Sequence, residues 1–216
     1  TTLLDTILRT HSKIKVLEEK PMLEKVFKSL KINNLKEIES INYIKAKNAS
    51  KIYFDELKNH IDLNPSSLFI DKLPLNILYL PFINQIFPKA KYILSLRHPL
   101  DCILSSWMQN FKLNSAMINM CDLGNTVDFY CKTMELYKLC NKRYKKQTHT
   151  IRYEDLVDDF EGQIIQLLSF LNLKWEKDLK QYQKTAKKRE IINTPSYSQV
   201  VKPIYKSSRY RWKNYE

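Results

Sequence analysis

Residues 91–107, KYILSLRHPLDCILSSW, constrain the fold more than any other stretch of the chain. Tyr92, Ile93, Leu94 and Leu96 form a short apolar run of the kind that makes a buried strand. The chain then turns at Arg97-His98-Pro99, and Leu100, Ile103, Leu104 and Trp107 follow at helical spacing. Pro99 suits a first helical turn, where its missing N–H is no loss. Arg97 therefore stands where a strand gives way to a helix, the crevice in which open α/β sheets bind ligands. Ser105 follows about two turns along the helix and can face the same crevice. An arginine fork and a hydroxyl beside a helix N-terminus suit a phosphate. An ordinary strand-to-helix turn with a surface arginine has the same spacing, so the stretch alone leaves both readings open.

The flanking sequence extends the strand–helix pattern. Residues 1–10, TTLLDTILRT, put Leu3, Leu4, Ile7 and Leu8 on one helical face, and the abrupt start predicts a helix continuing out of something upstream. Residues 11–20 read as a connection holding the acidic pair Glu18-Glu19. Pro21 opens a helix, MLEKVFKSLK, which ends in a polar hinge at Asn33-Asn34. Residues 35–61 read as one or two amphipathic helices, with Ile38, Ile41, Ile44, Ile52, Phe54 and Leu57 as buried candidates and no chemical signature. SLFID at 67–71 predicts a strand, followed by a helix from Pro74 to about Phe87, kinked at Pro81. A long helix is expected over 122–146, with Val127, Tyr130, Met134, Tyr137 and Cys140 along one side. HTIRY at 149–153 predicts another strand, and 155–171 a helix with Ile164, Ile165, Leu168 and Leu171 inward. Beyond Asn193 the chain reads as loop, with a short helix near 207–215. Short strands alternating with helices argue for a parallel α/β sheet, and the length suits one domain over 1–216.

The net charge of +13 and pI near 9.4 point to an anionic partner: nucleotide, nucleic acid or membrane surface. Lys, Ile and Asn are abundant throughout, as AT-rich codon usage would also produce, so the location of the charge says more than its total. Residues 184–216 carry nine Lys/Arg against two acidic residues, which concentrates +7 of the +13 there. Only two glycines occur, Gly124 and Gly162, and neither is placed for a glycine-rich phosphate loop. Phosphates are then held by side chains, or such a loop lies outside this sequence. Cys102, Cys121, Cys131 and Cys140 lack CxxC spacing and histidines at zinc-finger intervals, and read as buried reduced thiols. No apolar run approaches the ~18 residues of a membrane span, and no signal peptide is present. A soluble chain is expected. The start at Thr1 rather than Met fits a fragment.

Several separated motifs then line up in one order: DKLPLN at 71–76, FPKAKYILSLRHPLDCILSSW at 87–107, IRYEDLVDDFEGQIIQLLSFLNLKW at 151–175, and SYSQVVKPIYKSSRYRWKNYE at 196–216. Together they resemble the sulfotransferases that use 3′-phosphoadenosine 5′-phosphosulfate (PAPS), above all the tetratricopeptide-associated bacterial enzymes and the tyrosylprotein sulfotransferases. TTLLDTILRTH at 1–11 is similar to the helix that follows the family's phosphosulfate loop, and the likeness is weakest over 20–66.

The resemblance implies a P-loop-like α/β three-layer sandwich, a short parallel sheet flanked by helices. It implies transfer of a sulfuryl group from PAPS to a hydroxyl acceptor (protein tyrosine, sugar or small molecule), with 3′-phosphoadenosine 5′-phosphate (PAP) as product and no metal. Arg97 and Ser105 would hold the 3′-phosphate, Tyr153 the adenine side, and Arg211 would close over the nucleotide with Lys202 in the same loop. Thr1 and Thr2 are what stands here of the phosphosulfate loop. Glu19 matches the catalytic base, with Glu18 one place away; Lys72 matches the lysine at the leaving group, and Ser196 a serine near the transferring group. His98 is read as a structural or phosphate-side residue. The rest of the G-x-P-R-S-G-T-T loop and its strand would lie outside this sequence, so the 216-residue piece alone is expected to bind nucleotide weakly and to transfer little. A tetratricopeptide region upstream is a further expectation. Leu17 and Asp71 stand where secretory-pathway members carry a disulfide, which favours a cytoplasmic bacterial-type enzyme over a Golgi one. Two rivals remain at this stage: a basic nucleic-acid-binding module, and a degenerate family member serving as an interaction domain.

Overall fold

The structure, a computed structural model, describes residues 1–62, 64–145, 147–188 and 200–215. The chain runs α1 (Thr2–Arg9), β1 (Ile14–Glu18), α2 (Met22–Ser29), α3 (Leu35–Glu39), α4 (Tyr43–Leu57) and β2 (Leu68–Lys72). A 3₁₀ turn at Pro74–Tyr79 leads into α5 (Leu80–Ile86), then β3 (Tyr92–Leu96) and α6 (Pro99–Trp107). After a 3₁₀ turn at Met117–Cys121 come α7 (Leu123–Tyr144), β4 (Thr148–Arg152), α8 (Tyr153–Asp158) and α9 (Phe160–Phe170). A 3₁₀ turn at Lys177–Gln181 precedes α10 (Tyr182–Lys188), and two more, Lys206–Ser208 and Arg211–Tyr215, shape the C-terminal strap.

Side-chain alternation along the strands sorts this sequence into layers. β1 pairs parallel with β2 and β3 parallel with β4, giving two short ladders. Ile14 and Val16 of β1, Leu68 and Ile70 of β2, Ile93 of β3 and Ile151 of β4 all enter one apolar cluster, with α1, α9 and Leu179 and Tyr182 covering it. The alternate residues, Leu17 and Phe69, enter a second cluster with α2, α4 and Phe82 of α5. Short parallel strands flanked by helices on two faces make this an α/β fold, as the motif order implies. The same period of two decides the chemistry at the strand ends. Lys72 lies on the α1 face with Ile70, whereas Asp71 lies on the α4 face, where its Oδ2 accepts a hydrogen bond from Tyr53 at 2.7 Å.

Helix boundaries follow capping residues. Asn34, Asn42, Asp122 and Asp159 each accept a backbone N–H three residues on, opening α3, α4, α7 and α9. At α9 that N–H belongs to Gly162, where a Cβ would collide with the Asp159 carboxylate. The cap also divides the helix expected over 155–171 into α8 and α9.

Some expectations need correction. Residues 14–18 form a strand, not part of a connection; IKVLE is short and half-polar, yet Ile14, Val16 and Leu17 are all buried by helices on both faces. In α4 the inward face is Ala49, Tyr53 and Leu57, which leaves Ile44, Ile52 and Phe54 exposed. Val127 and Ile165 are exposed as well, with Thr126 and Leu167 taking the inward positions. All four cysteines are free, but only Cys140 is buried and Cys102 half-buried; Cys121 and Cys131 face solvent. No helix among the described residues is long and apolar enough to cross a membrane.

Candidate functional site

Two groups of side chains collect at the C-terminal ends of the strands. The first is built on the last register pair of the β1–β2 ladder, Glu18 and Lys72. Lys72 Nζ donates to Glu19 Oε1 at 2.8 Å and to Glu18 Oε1 at 3.3 Å, and lies 3.7 Å from Asp5 Oδ2. Its side chain is only 10% exposed, so the ammonium is largely surrounded by carboxylates rather than by water. Asp5, fully buried on α1, also accepts Nε and a terminal nitrogen of Arg9 through Oδ1. Glu19 takes a left-handed backbone with φ 50°, rare for a residue with a side chain, and its N–H donates to the Lys72 carbonyl at 2.8 Å. The ladder thus holds Glu19 through its backbone while Lys72 holds its carboxylate. Strained positions of this kind collect where surrounding structure enforces a functional geometry.

The second group surrounds the turn after β3. Arg97 places its guanidinium over the Tyr153 ring, 5.1 Å from the centroid. One terminal nitrogen of Arg97 donates to Asp101 Oδ2 at 3.2 Å and to the Ser208 carbonyl at 2.5 Å. The His98 N–H donates to Glu154 Oε1 at 2.9 Å, and the His98 ring stacks on Trp212 with centroids 5.4 Å apart and planes within 12°. Arg209 pairs with Asp158 and so ties the strap to the end of α8. Burial raises the Tyr153 phenol pKa, against the opposing pull of its hydrogen bond with Ser208 and of Arg97. Around this turn Arg97 Nε, His98 Nδ1, Arg209 Nε and Trp212 Nε1 are buried without a hydrogen-bond partner among the described residues. Arg97, Arg209 and Trp212 contribute donors among these, and buried donors left open next to cations suit an anionic ligand.

The N-terminus of α1 lies between the two groups. Thr1 is within electrostatic reach of both Lys72 and Arg97, and the positive end of the helix dipole adds to their charge. Thr2 is buried in the first turn of α1. Ser105 lies on the exposed side of α6 while Ser106 is half-buried, and no hydrogen bond among the described residues ties Ser105 to Arg97. Lys202 is exposed, held by its carbonyl through the Tyr182 hydroxyl at 3.1 Å. Arg211 is exposed, and its neighbours Arg209 and Trp212 make the contacts that fasten the strap. Ser196 falls outside the described residues. Asp5, Asp101, Glu154 and Trp212 escaped the reading of the sequence. The i,i+4 spacing of Asp5–Arg9 and Arg97–Asp101 was the available signal for two of them.

The model of the sulfotransferase family matches residues 1–177. The chain belongs to the sulfotransferase family. Over 174 residues it is 32% identical to an uncharacterised protein of Aquifex aeolicus (strain VF5), a match that takes in 79% of this chain and 22% of that protein. The chain thus spans about a fifth of the length of the curated relative it matches. Among solved structures it is similar to the sulfotransferase domain from the curacin biosynthetic pathway, with TM-score 0.64 and 18% identity over 100% of this chain and 87% of that one. The sulfotransferase domain from the Synechococcus PCC 7002 olefin synthase gives TM-score 0.57 and 17% identity, covering 98% and 82%. At these identities the likeness speaks for the sulfotransferase fold alone. Leu17 and Asp71 are register partners in the β1–β2 ladder.

Proposed function

We propose that this domain transfers a sulfuryl group from PAPS to a hydroxyl acceptor. The observation that carries the reading is that a strained glutamate locked to a nearly buried lysine, and an arginine set among open buried donors, meet at the N-terminus of one helix. The residues around Arg97 fit the nucleotide: a fork for the 3′-phosphate, Tyr153 for the adenine side, and a strap bearing Lys202, Arg209, Arg211 and Trp212 to cover it. Ser105 is assigned to the 3′-phosphate from its place in the motif. Thr1 and Thr2 serve the 5′ end at the helix N-terminus. When bound, PAPS supplies an activated sulfuryl group and a bisphosphate leaving group.

This chain's own residues supply the rest. Glu19 takes the proton from the acceptor hydroxyl, a role that contributes about 10²–10⁴-fold in rate. Lys72 meets negative charge that develops on the leaving oxygen, and in the resting site it is held ready by Glu18, Glu19 and Asp5. Ser196 is assigned to the transferring group from its place in the motif. Membership of a nucleotide-using family gives the basic C-terminal segment a local use, which is why this reading is preferred to nucleic-acid binding. The test is PAP release from PAPS by the full-length protein with a panel of phenols, sugars and tyrosine peptides. Acceptor-dependent release that Glu19→Ala abolishes is expected. Salt-sensitive DNA or RNA binding without PAP competition would contradict the proposal.

A further inference from the structure

Asp101 is 2% exposed, and its two oxygens serve two different parts of the site. Oδ2 accepts from Arg97 at 3.2 Å, and Oδ1 accepts the Trp212 N–H at 3.0 Å, a link across 111 residues. A carboxylate this buried persists only when paired. The same terminal nitrogen of Arg97 also donates to the Ser208 carbonyl, so the Arg97–Asp101 pair grips the strap at Ser208 and at Trp212. Between those grips Tyr210 takes a left-handed backbone, φ 52°, with its ring edge-on to His98. The pair thus uses one terminal nitrogen of the guanidinium and leaves Arg97 Nε, buried and without a partner among the described residues, for a ligand.

We propose that Asp101 is a positioning residue: it orients Arg97 and seats the strap, so that strap closure and anion binding at Arg97 are coupled. The inference rests on the nucleotide reading above. Coupling is reciprocal, so nucleotide must hold the strap closed as firmly as the closed strap holds nucleotide.

Two variants of the full-length protein separate the two contacts. Asp101→Asn keeps an acceptor for the Trp212 N–H but cannot pair ionically with Arg97; Asp101→Ala loses both. The readouts are calorimetric titration with PAP and tryptic cleavage within the strap at Lys206 and Arg209, followed by mass spectrometry. In the wild type, PAP is expected to slow strap cleavage. Asp101→Asn should leave the cleavage rate near that of wild type yet weaken PAP binding about two- to tenfold, because Arg97 is no longer held in place beforehand and must be ordered on binding. Its turnover at saturating PAPS should stay within a few-fold of wild type, with the loss appearing in KM. Asp101→Ala should release the strap to rapid cleavage that PAP no longer slows. Because the Ala variant can lose the fold, Asp101→Asn carries the decision: PAP affinity equal to wild type overturns the proposal. If the wild type binds no PAP, the nucleotide reading falls and the coupling with it. The relative cleavage of the two variants then still decides whether Asp101 seats the strap.

Discussion

Replacing Glu19 by glycine should cost less stability than replacing it by alanine, while both changes destroy transfer. At φ 50° a residue with a Cβ bears about 1–2 kcal/mol of left-handed strain, which glycine does not. Glycine also enlarges the entropy of the unfolded chain, which offsets about 0.4–1 kcal/mol of that gain. Both Glu19→Gly and Glu19→Ala lose the contact with Lys72. Lys72 keeps Glu18 and Asp5 as partners in both variants, so the loss is the same in each. The comparison between the two variants cancels this loss and isolates the backbone: Glu19→Gly should be about 0.5–1 kcal/mol more stable than Glu19→Ala. For a chain of this size that is about 1–4 °C in melting temperature. Both variants should lose about 10²–10⁴-fold in transfer. Scanning calorimetry and PAP release, run on the same preparations, test the two halves separately. Equal stability of the two variants would refute the strain. Retained transfer would refute Glu19 as the base and turn attention to Glu18 or His98.

Other sites give sharper tests of the fold. Phe82 is fully buried and meets Phe27 edge-on at 5.4 Å, so Phe82→Ala should cost about 3–5 kcal/mol in denaturant unfolding. Burial holds the His149 imidazole below its usual pKa, with Phe170 against the ring. The unfolded chain therefore takes up the proton first, and stability should decline as pH falls below about 6.5, the ordinary value, until the folded pKa is passed. His149→Phe should flatten that part of the stability profile measured by urea titration between pH 7 and 5. A variant as pH-sensitive as wild type would remove His149 from the account.

What could be read from the sequence was local. The apolar run before Arg97 and the helical spacing after it fix β3 and α6, and the ordered motifs carry the family and the fold. Arg97 could be named because it follows a strand, at the end of a parallel sheet where ligands bind, whereas Tyr153 could be named from its place in the family's motif. Strand β1 was missed because Lys15 interrupts a five-residue run, and only packing against α1 on one face and α2 and α4 on the other makes it a strand. Ile44, Ile52 and Phe54 were misplaced because α4 also carries a second set of positions, Ala49, Tyr53 and Leu57, and the choice of inward face lies with the elements it meets. Asp5 and Asp101 were passed over for a related reason. An acidic residue four from an arginine is ordinary on a helix surface, and only burial makes either one part of a site. The left-handed backbone of Glu19 has no sequence signal, since glycine is the usual sign of it and none stands there.

The central claim, a nucleotide site organised by Arg97, is tested most directly by titrating the full-length protein with PAP and with adenosine 5′-phosphate, which lacks the 3′-phosphate. The account predicts one PAP bound per chain and clear preference for PAP. Arg97→Ala should weaken PAP by about 10–150-fold, the value of charged hydrogen bonds to one phosphate, and should weaken adenosine 5′-phosphate less, through the loosened strap and the lost contact with Tyr153 alone. Equal affinity for the two nucleotides, or PAP binding indifferent to Arg97→Ala, would contradict it.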